Sequence, residues 1–189
     1  MVRDDWLVGD RHGAAAERIY AAATDLIARE GIDGLDMAAL QARVHCSRAT
    51  IYRHVGGKAQ IRDAVLAREA ERIVAAVRDA VRELSGPERV VIAVEVALER
   101  IRADPLGQAL LHSMRGAGEL QWIGGSALPV AFAAELTGIH DDPLAAQWIV
   151  RAVLSLLFWP VDDAGTEREM IRRFLGPCAE NSHPRGQLL

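Results

Sequence analysis

Along most of this chain the apolar residues recur three and four positions apart, the spacing of helices with one buried face. Ile19, Ala22, Ala23, Leu26 and Ile27 define a first helix over 14–30, and Gly31 ends it as a residue that tolerates positive φ. Residues 1–12 ahead of it read as a loose, polar arm. Two short helices follow between Leu35 and Lys58. Asp36 caps the first, because its carboxylate can accept from the free first-turn amides, and Met37, Leu40 and Val44 share the apolar face. Val44, His45 and Cys46 make the turn. Ser47 caps the second helix, Arg48 to Val55, which Ile51 and Val55 anchor inward. Arg48, Thr50, Tyr52, Arg53 and His54 are left for its other faces.

Gly56 and Gly57 break the chain, and Lys58 opens a long amphipathic rod through Leu84, about 40 Å. Its apolar series is Ile61, Val65, Leu66, Ala70, Ile73, Val77, Val81 and Leu84. Arg68, Glu69, Arg72 and Asp79 are placed on its outer face. A fifth helix runs from Pro87 to Ala103, and a sixth starts at Asp104 and Pro105. Residues 116–125 are glycine-rich and read as irregular. A seventh helix covers 128–136. The eighth, Pro143 to Trp159, is apolar on almost every side, so it is central or faces a second subunit. Thr166 caps a ninth helix containing Met170, Ile171, Phe174 and Leu175, and the tail from Gly176 reads as frayed. The expected class is all-α: an N-terminal three-helix helix-turn-helix domain, 1–57, joined by a long helix to a C-terminal helical domain, 58–189.

Charge sharpens this picture. The 22 Lys and Arg against 26 Asp and Glu give a net charge of −4. Yet from Met37 to Arg62 there is no acid, and Arg43, Arg48, Arg53, Lys58 and Arg62 carry +5, leaving −9 for the rest. An acidic chain with one acid-free basic hairpin is suited to touching a polyanion there. The two cysteines, Cys46 and Cys178, form no disulfide framework and no metal spacing. Neither a secretory leader nor a membrane span is legible, so a cytoplasmic protein is expected.

The run Thr50-Ile51-Tyr52-Arg53-His54-Val55, with Lys58 after it, resembles the DNA-binding signature of the TetR/AcrR family of bacterial transcriptional repressors. The resemblance covers roughly the first third of the chain. It implies a homodimer, paired through helices near 143–159 and 166–178, that binds a palindromic operator and responds to a small apolar or amphipathic effector. Two positions depart from the family pattern. His45 stands where a turn glycine is usual, which predicts a less regular turn, and Cys46 where Val or Ile is common.

Within that frame, Arg48 and Arg53 are candidates for bidentate pairing with guanine. Ser47, Thr50, Tyr52, His54 and Lys58 are candidates for phosphate, and Ala49 offers only a methyl group to thymine. His112, Met114, Arg115, Trp122, Phe132 and Trp148 are candidates to line an effector pocket, with ordinary core packing as the alternative for each. No acid or second base stands at a fixed spacing from His112, Ser113 and Arg115, so no catalytic centre is expected; nor is any metal or cofactor. The rival reading is a DNA-binding helical protein without an effector, architectural or corepressor-type.

Overall fold

The computed structural model describes residues 6–113 and 127–181. Every regular element among them is a helix. In chain order these are α1 Trp6–Glu30, α2 Met37–Val44, α3 Arg48–Val55, α4 Lys58–Ala80, α5 Gly86–Ala103, α6 Pro105–Ser113, α7 Ala127–Thr137, α8 Pro143–Phe158, α9 Ala164–Phe174 and α10 Cys178–Asn181. The described residues fall into two compact units. One lies within Met1–Ala70 and Pro105–Ser113, the other within Glu71–Asp104 and Met114–Leu189.

The first unit is built on one core. Ile19, Ala23 and Ile27 of α1 meet Leu40 of α2, Ile51 of α3, Ile61 and Val65 of α4 and Leu106 of α6, all essentially sealed from solvent. Each buried Leu, Ile or Val among them contributes about 1.5–3 kcal/mol by leaving water. The short helices α2 and α3 could not persist alone; here each hangs on two or three buried anchors. Arg68 of α4 adds a polar fastening at the surface. It forks onto Glu17 at 2.6 and 2.7 Å and lies over the Tyr20 ring.

In the second unit, Val90, Val94 and Leu98 of α5 pack with Ile149 and Leu156 of α8 and Ile171 of α9. Val74, Val77 and Val81 pack with Ala93 of α5 and Leu136 of α7. Two arginines pin helix ends in this unit. Arg89 donates to the carbonyls of Leu136 at 2.9 Å and Glu135 at 3.1 Å, and more weakly to Leu84 at 3.3 Å and Val81 at 3.4 Å. Arg102 forks onto Glu167 at 2.7 and 2.8 Å and also reaches the Leu156 carbonyl at 2.9 Å, so it ties α5 to α8 and α9. That fork holds the Glu167 carboxyl below its ordinary range, against the opposing effect of burial.

The structure corrects several expectations. The segment expected to be an arm is helical from Trp6, since no proline interrupts the run and Ala14–Ala16 favour helix strongly. The fourth helix ends at Ala80 instead of Leu84, closed by a turn in which the Leu84 amide donates to Val81 at 3.0 Å. Glu69 is buried and Ala70 exposed. Glu69 continues the Ile61–Val65 row at i+4 spacing, whereas Ala70 lies nine residues past Ile61, half a turn away. Asp163 caps α9 by accepting from the Thr166 amide, so Thr166 is the residue capped. The glycine-rich stretch 116–125 lies outside the described residues.

Candidate nucleic-acid interface

Asp36 starts α2 by accepting from the amides of Ala38 at 3.1 Å and Ala39 at 3.4 Å. The turn is tighter than its sequence promises. His45 takes the left-handed conformation, φ 53°, and both its amide and that of Cys46 fold back to the Gln41 carbonyl. It is the one described non-glycine residue with positive φ, a conformation that costs an L-residue about 1–2 kcal/mol. The expected irregularity is therefore absent, and strain takes its place. Ser47 then caps α3. Its Oγ accepts from the Thr50 amide at 3.2 Å and lies 2.9 Å from Thr50 Oγ1.

Ile51 and Val55 point α3 into the core, which fixes what faces out. Arg48, Ala49, Tyr52 and Arg53 are exposed; Thr50 and His54 are half-buried. One turn apart, Arg48 and Tyr52 form a unit. An Arg48 Nη donates to the Tyr52 hydroxyl at 3.4 Å, and the guanidinium carbon lies 5.5 Å from the ring centre. This hydrogen bond holds the Arg48 pKa above its ordinary value. The far side of the Tyr52 ring rests near Gly57, where a Cβ would meet Cε1 at 3.2 Å. Gly56 accepts the break after α3 with φ 83°. Gln60 caps the next helix by accepting from the Gly57 amide at 3.0 Å.

The five cations of the acid-free stretch are not equivalent. Arg43 is ion-paired with Asp25 of α1 at 2.7 Å, and Arg62 with Asp63 at 3.1 Å. Lys58 donates to the Asp33 carbonyl at 3.0 Å and so tethers the α1–α2 loop to the start of α4. That contact uses a neutral acceptor, so its charge stays uncompensated. Arg53 has no hydrogen bond or ion pair among the described residues. Three positive charges, Arg48, Arg53 and Lys58, thus remain for an external anion, two fewer than the sequence count. Sequence reasoning missed the pairing because Asp25 lies 18 residues upstream and Asp63 one residue past the stretch. The Arg48–Tyr52 contact was legible in principle, from its i,i+4 spacing.

The expected effector-lining set falls on both compact units and partly outside the described residues. Met114, Arg115 and Trp122 lie outside the described residues. His112 sits on α6 in the first unit. In the second unit Phe132 packs inward with the valines of α4, and Trp148 is exposed on α8. Among the described residues no cluster of His, Cys, Asp or Glu could hold a metal ion, and no helix is long and apolar enough to cross a membrane.

Residues 19–65, which span the hairpin and its supporting core, match the family of bacterial regulatory proteins named tetR. Over 184 residues the chain is 30% identical to HTH-type transcriptional regulators, themselves uncharacterised, from two strains of Mycobacterium tuberculosis; the match covers 94% of this chain and 91% of each relative. The chain belongs to the TetR family. This TetR-family regulator shares its fold with the crystal structure of the TetR family repressor AlkX from a Dietzia strain, implicated in biodegradation of n-alkanes. That likeness has a TM-score of 0.57 at 19% identity and covers 88% of this chain and 95% of that one. Membership makes the protein a DNA-binding transcriptional regulator and not an enzyme, and the hairpin is the element that the family match centres on.

Proposed function

We propose that this TetR-family protein is a cytoplasmic, homodimeric repressor that binds a palindromic operator and releases it when a small effector binds. The observation that carries the reading is the outward face of α3, where Arg48, Tyr52 and Arg53 stand exposed together beside Lys58. Arg48 and Arg53 are assigned to base edges in the major groove, where a guanidinium can pair bidentately with guanine. Ser47, Thr50, Tyr52, His54 and Lys58 are assigned to phosphates, which fix the register of the helix. Ala49 has room for a thymine methyl group. Residues 1–57 carry the reading function and 58–189 the effector and pairing functions, although packing extends the first unit to Ala70 and adds α6.

Pairing is supported by apolar surface that one subunit leaves open. Leu144 is 77% and Trp148 53% exposed on successive turns of α8; Met170 and Phe174 repeat the pattern on α9. Large exposed side chains one turn apart on each of two consecutive helices favour a covering partner, and a second copy supplies the matching surface by two-fold symmetry. The symmetry also suits two half-sites one helical turn apart. In this mechanism α4 is the lever, and the effector acts only through a higher affinity for the geometry that does not bind DNA.

Selection of bound duplexes from a random pool with the purified full chain tests the reading. Recovery of a palindrome is expected. A pool that stays random after several rounds at moderate salt would rule out an operator-specific regulator. If a palindrome is recovered but no apolar or amphipathic compound weakens the complex, the regulator acts without an effector.

A further inference from the structure

Arg48 opens α3 with no acid in that helix's first turn, and among the described residues the one acceptor it reaches is the Tyr52 hydroxyl, at 3.4 Å. A guanidinium only donates, so the hydroxyl oxygen accepts and the hydroxyl proton stays free for a second partner. One of five N–H donors is used, which leaves a pair for guanine. Arg53 is exposed on the same helix and has no such contact among the described residues.

The Tyr52 ring is exposed, yet its hydroxyl end is seated. A Cβ on Gly57 would meet Tyr52 Cε1 at 3.2 Å and Cζ, the carbon that carries the hydroxyl, at 3.5 Å. Gly57 has no positive φ, so its missing side chain provides space and not backbone freedom. Both polar groups of the Gly57 backbone are engaged. Its amide donates to Gln60 Oε1 at 3.0 Å, and its carbonyl accepts at 3.0 Å from the amide of Ile61, a fully buried residue. Support thus runs from the core through Gly57 to the ring, and from the ring to Arg48.

We infer that Tyr52, seated on Gly57, is a positioning residue that makes Arg48 the sharper of the two base readers. The inference rests on the assignment of Arg48 to a base edge. Bidentate pairing with guanine needs the guanidinium plane set to the groove, and an unsupported arginine gives up much rotamer freedom to reach that pose. The hydroxyl contact removes part of that freedom before DNA arrives. The guanidinium carbon, 5.5 Å from the ring centre, adds a cation–π attraction. The hydroxyl proton is available to a phosphate at the same time, so one side chain ties the register of α3 to the orientation of Arg48.

The test measures discrimination with the full chain: the ratio of affinities for the operator recovered by selection and for its single-base-pair variants. Arg48→Ala and Arg53→Ala first locate the base pair that each arginine reads. Tyr52→Phe is then expected to cut discrimination about three- to tenfold at the Arg48 base pair, the worth of one hydrogen bond, and to leave the Arg53 base pair unchanged. Gly57→Ala should do the same by displacing the ring. Tyr52→Phe added to Arg48→Ala should cost no further discrimination there. In the free protein, nuclear Overhauser contacts between the Arg48 side chain and the Tyr52 ring are expected, and Gly57→Ala should weaken them. If Tyr52→Phe lowers affinity for every sequence alike, Tyr52 is a phosphate contact alone and the inference is overturned; absence of the Overhauser contacts in the wild type would overturn it too. If Arg48→Ala leaves discrimination intact at every base pair, the base-reading assignment itself falls and takes the positioning role with it.

Discussion

The salt dependence of DNA binding can be worked out from the ion pairs of the hairpin. Five cations per subunit would put ten positive charges on a dimer. Because Arg43 and Arg62 already hold carboxylates at 2.7 and 3.1 Å, only Arg48, Arg53 and Lys58 of these five can displace counterions from the duplex, the two arginines from the groove and Lys58 at a phosphate. Six free cations on a dimer, each displacing about one counterion, predict a slope of about −5 for the logarithm of affinity against the logarithm of salt; ten would give about −9. Arg53→Ala removes one free charge from each subunit and should flatten the slope by about 2 units. Arg43→Ala removes a charge that Asp25 has already neutralised, so it should lower affinity slightly and leave the slope within about 0.5 unit. The assay is fluorescence anisotropy with a labelled operator duplex over a potassium chloride series. A wild-type slope near −9, or equal flattening by the two variants, would refute the reasoning.

Four further outcomes are expected. Arg89→Met should destabilise the fold by about 2–3 kcal/mol in urea titrations at fixed protein concentration, because two good and two long charge-assisted bonds to helix-end carbonyls are lost; a change under about 0.5 kcal/mol would show that water replaces the guanidinium freely. His45→Gly should stabilise it by about 0.5–1 kcal/mol, since relief of the left-handed strain exceeds the added chain entropy, and a loss of stability would show that His45 earns its place by contacts. Glu167→Gln should be less stable than the wild type at neutral pH. The folded-state pKa of Glu167 is lowered, so its contribution is full above its unfolded value of about 4.5 and fades as pH falls through the folded value, and the two stability curves should converge there; a constant gap down to strong acid would exclude the Arg102 pair as the cause. Trp148→Glu should yield monomers in sedimentation, by placing a charge on the proposed pairing face; an unchanged dimer would move the interface elsewhere.

Local chemistry made much of this legible before any coordinates. The Asp36 and Ser47 caps, the inward Ile51 and Val55, and the glycine stops depend on neighbours in sequence, and each stands where its pattern puts it. The family itself was legible in the six residues from Thr50 to Val55. Properties set by distant residues were not. The buried position of Glu69 follows from its row on α4, but hydropathy alone favours its apolar neighbour Ala70 for that row. The number of available cations depends on Asp25, which only tertiary packing brings to Arg43. The helical start at Trp6 was hidden by an acidic, glycine-containing opening that reads as an arm.

Asp25 itself lies outside the hairpin, yet it decides how much charge the hairpin can present. Without it a fourth free cation per subunit would grip every stretch of duplex alike, operator or not. A regulator must find one address among a genome of near misses, and indiscriminate adhesion lengthens that search without improving its accuracy. One carboxylate on the supporting helix thus acts as a brake on stickiness and leaves the reading of bases to α3.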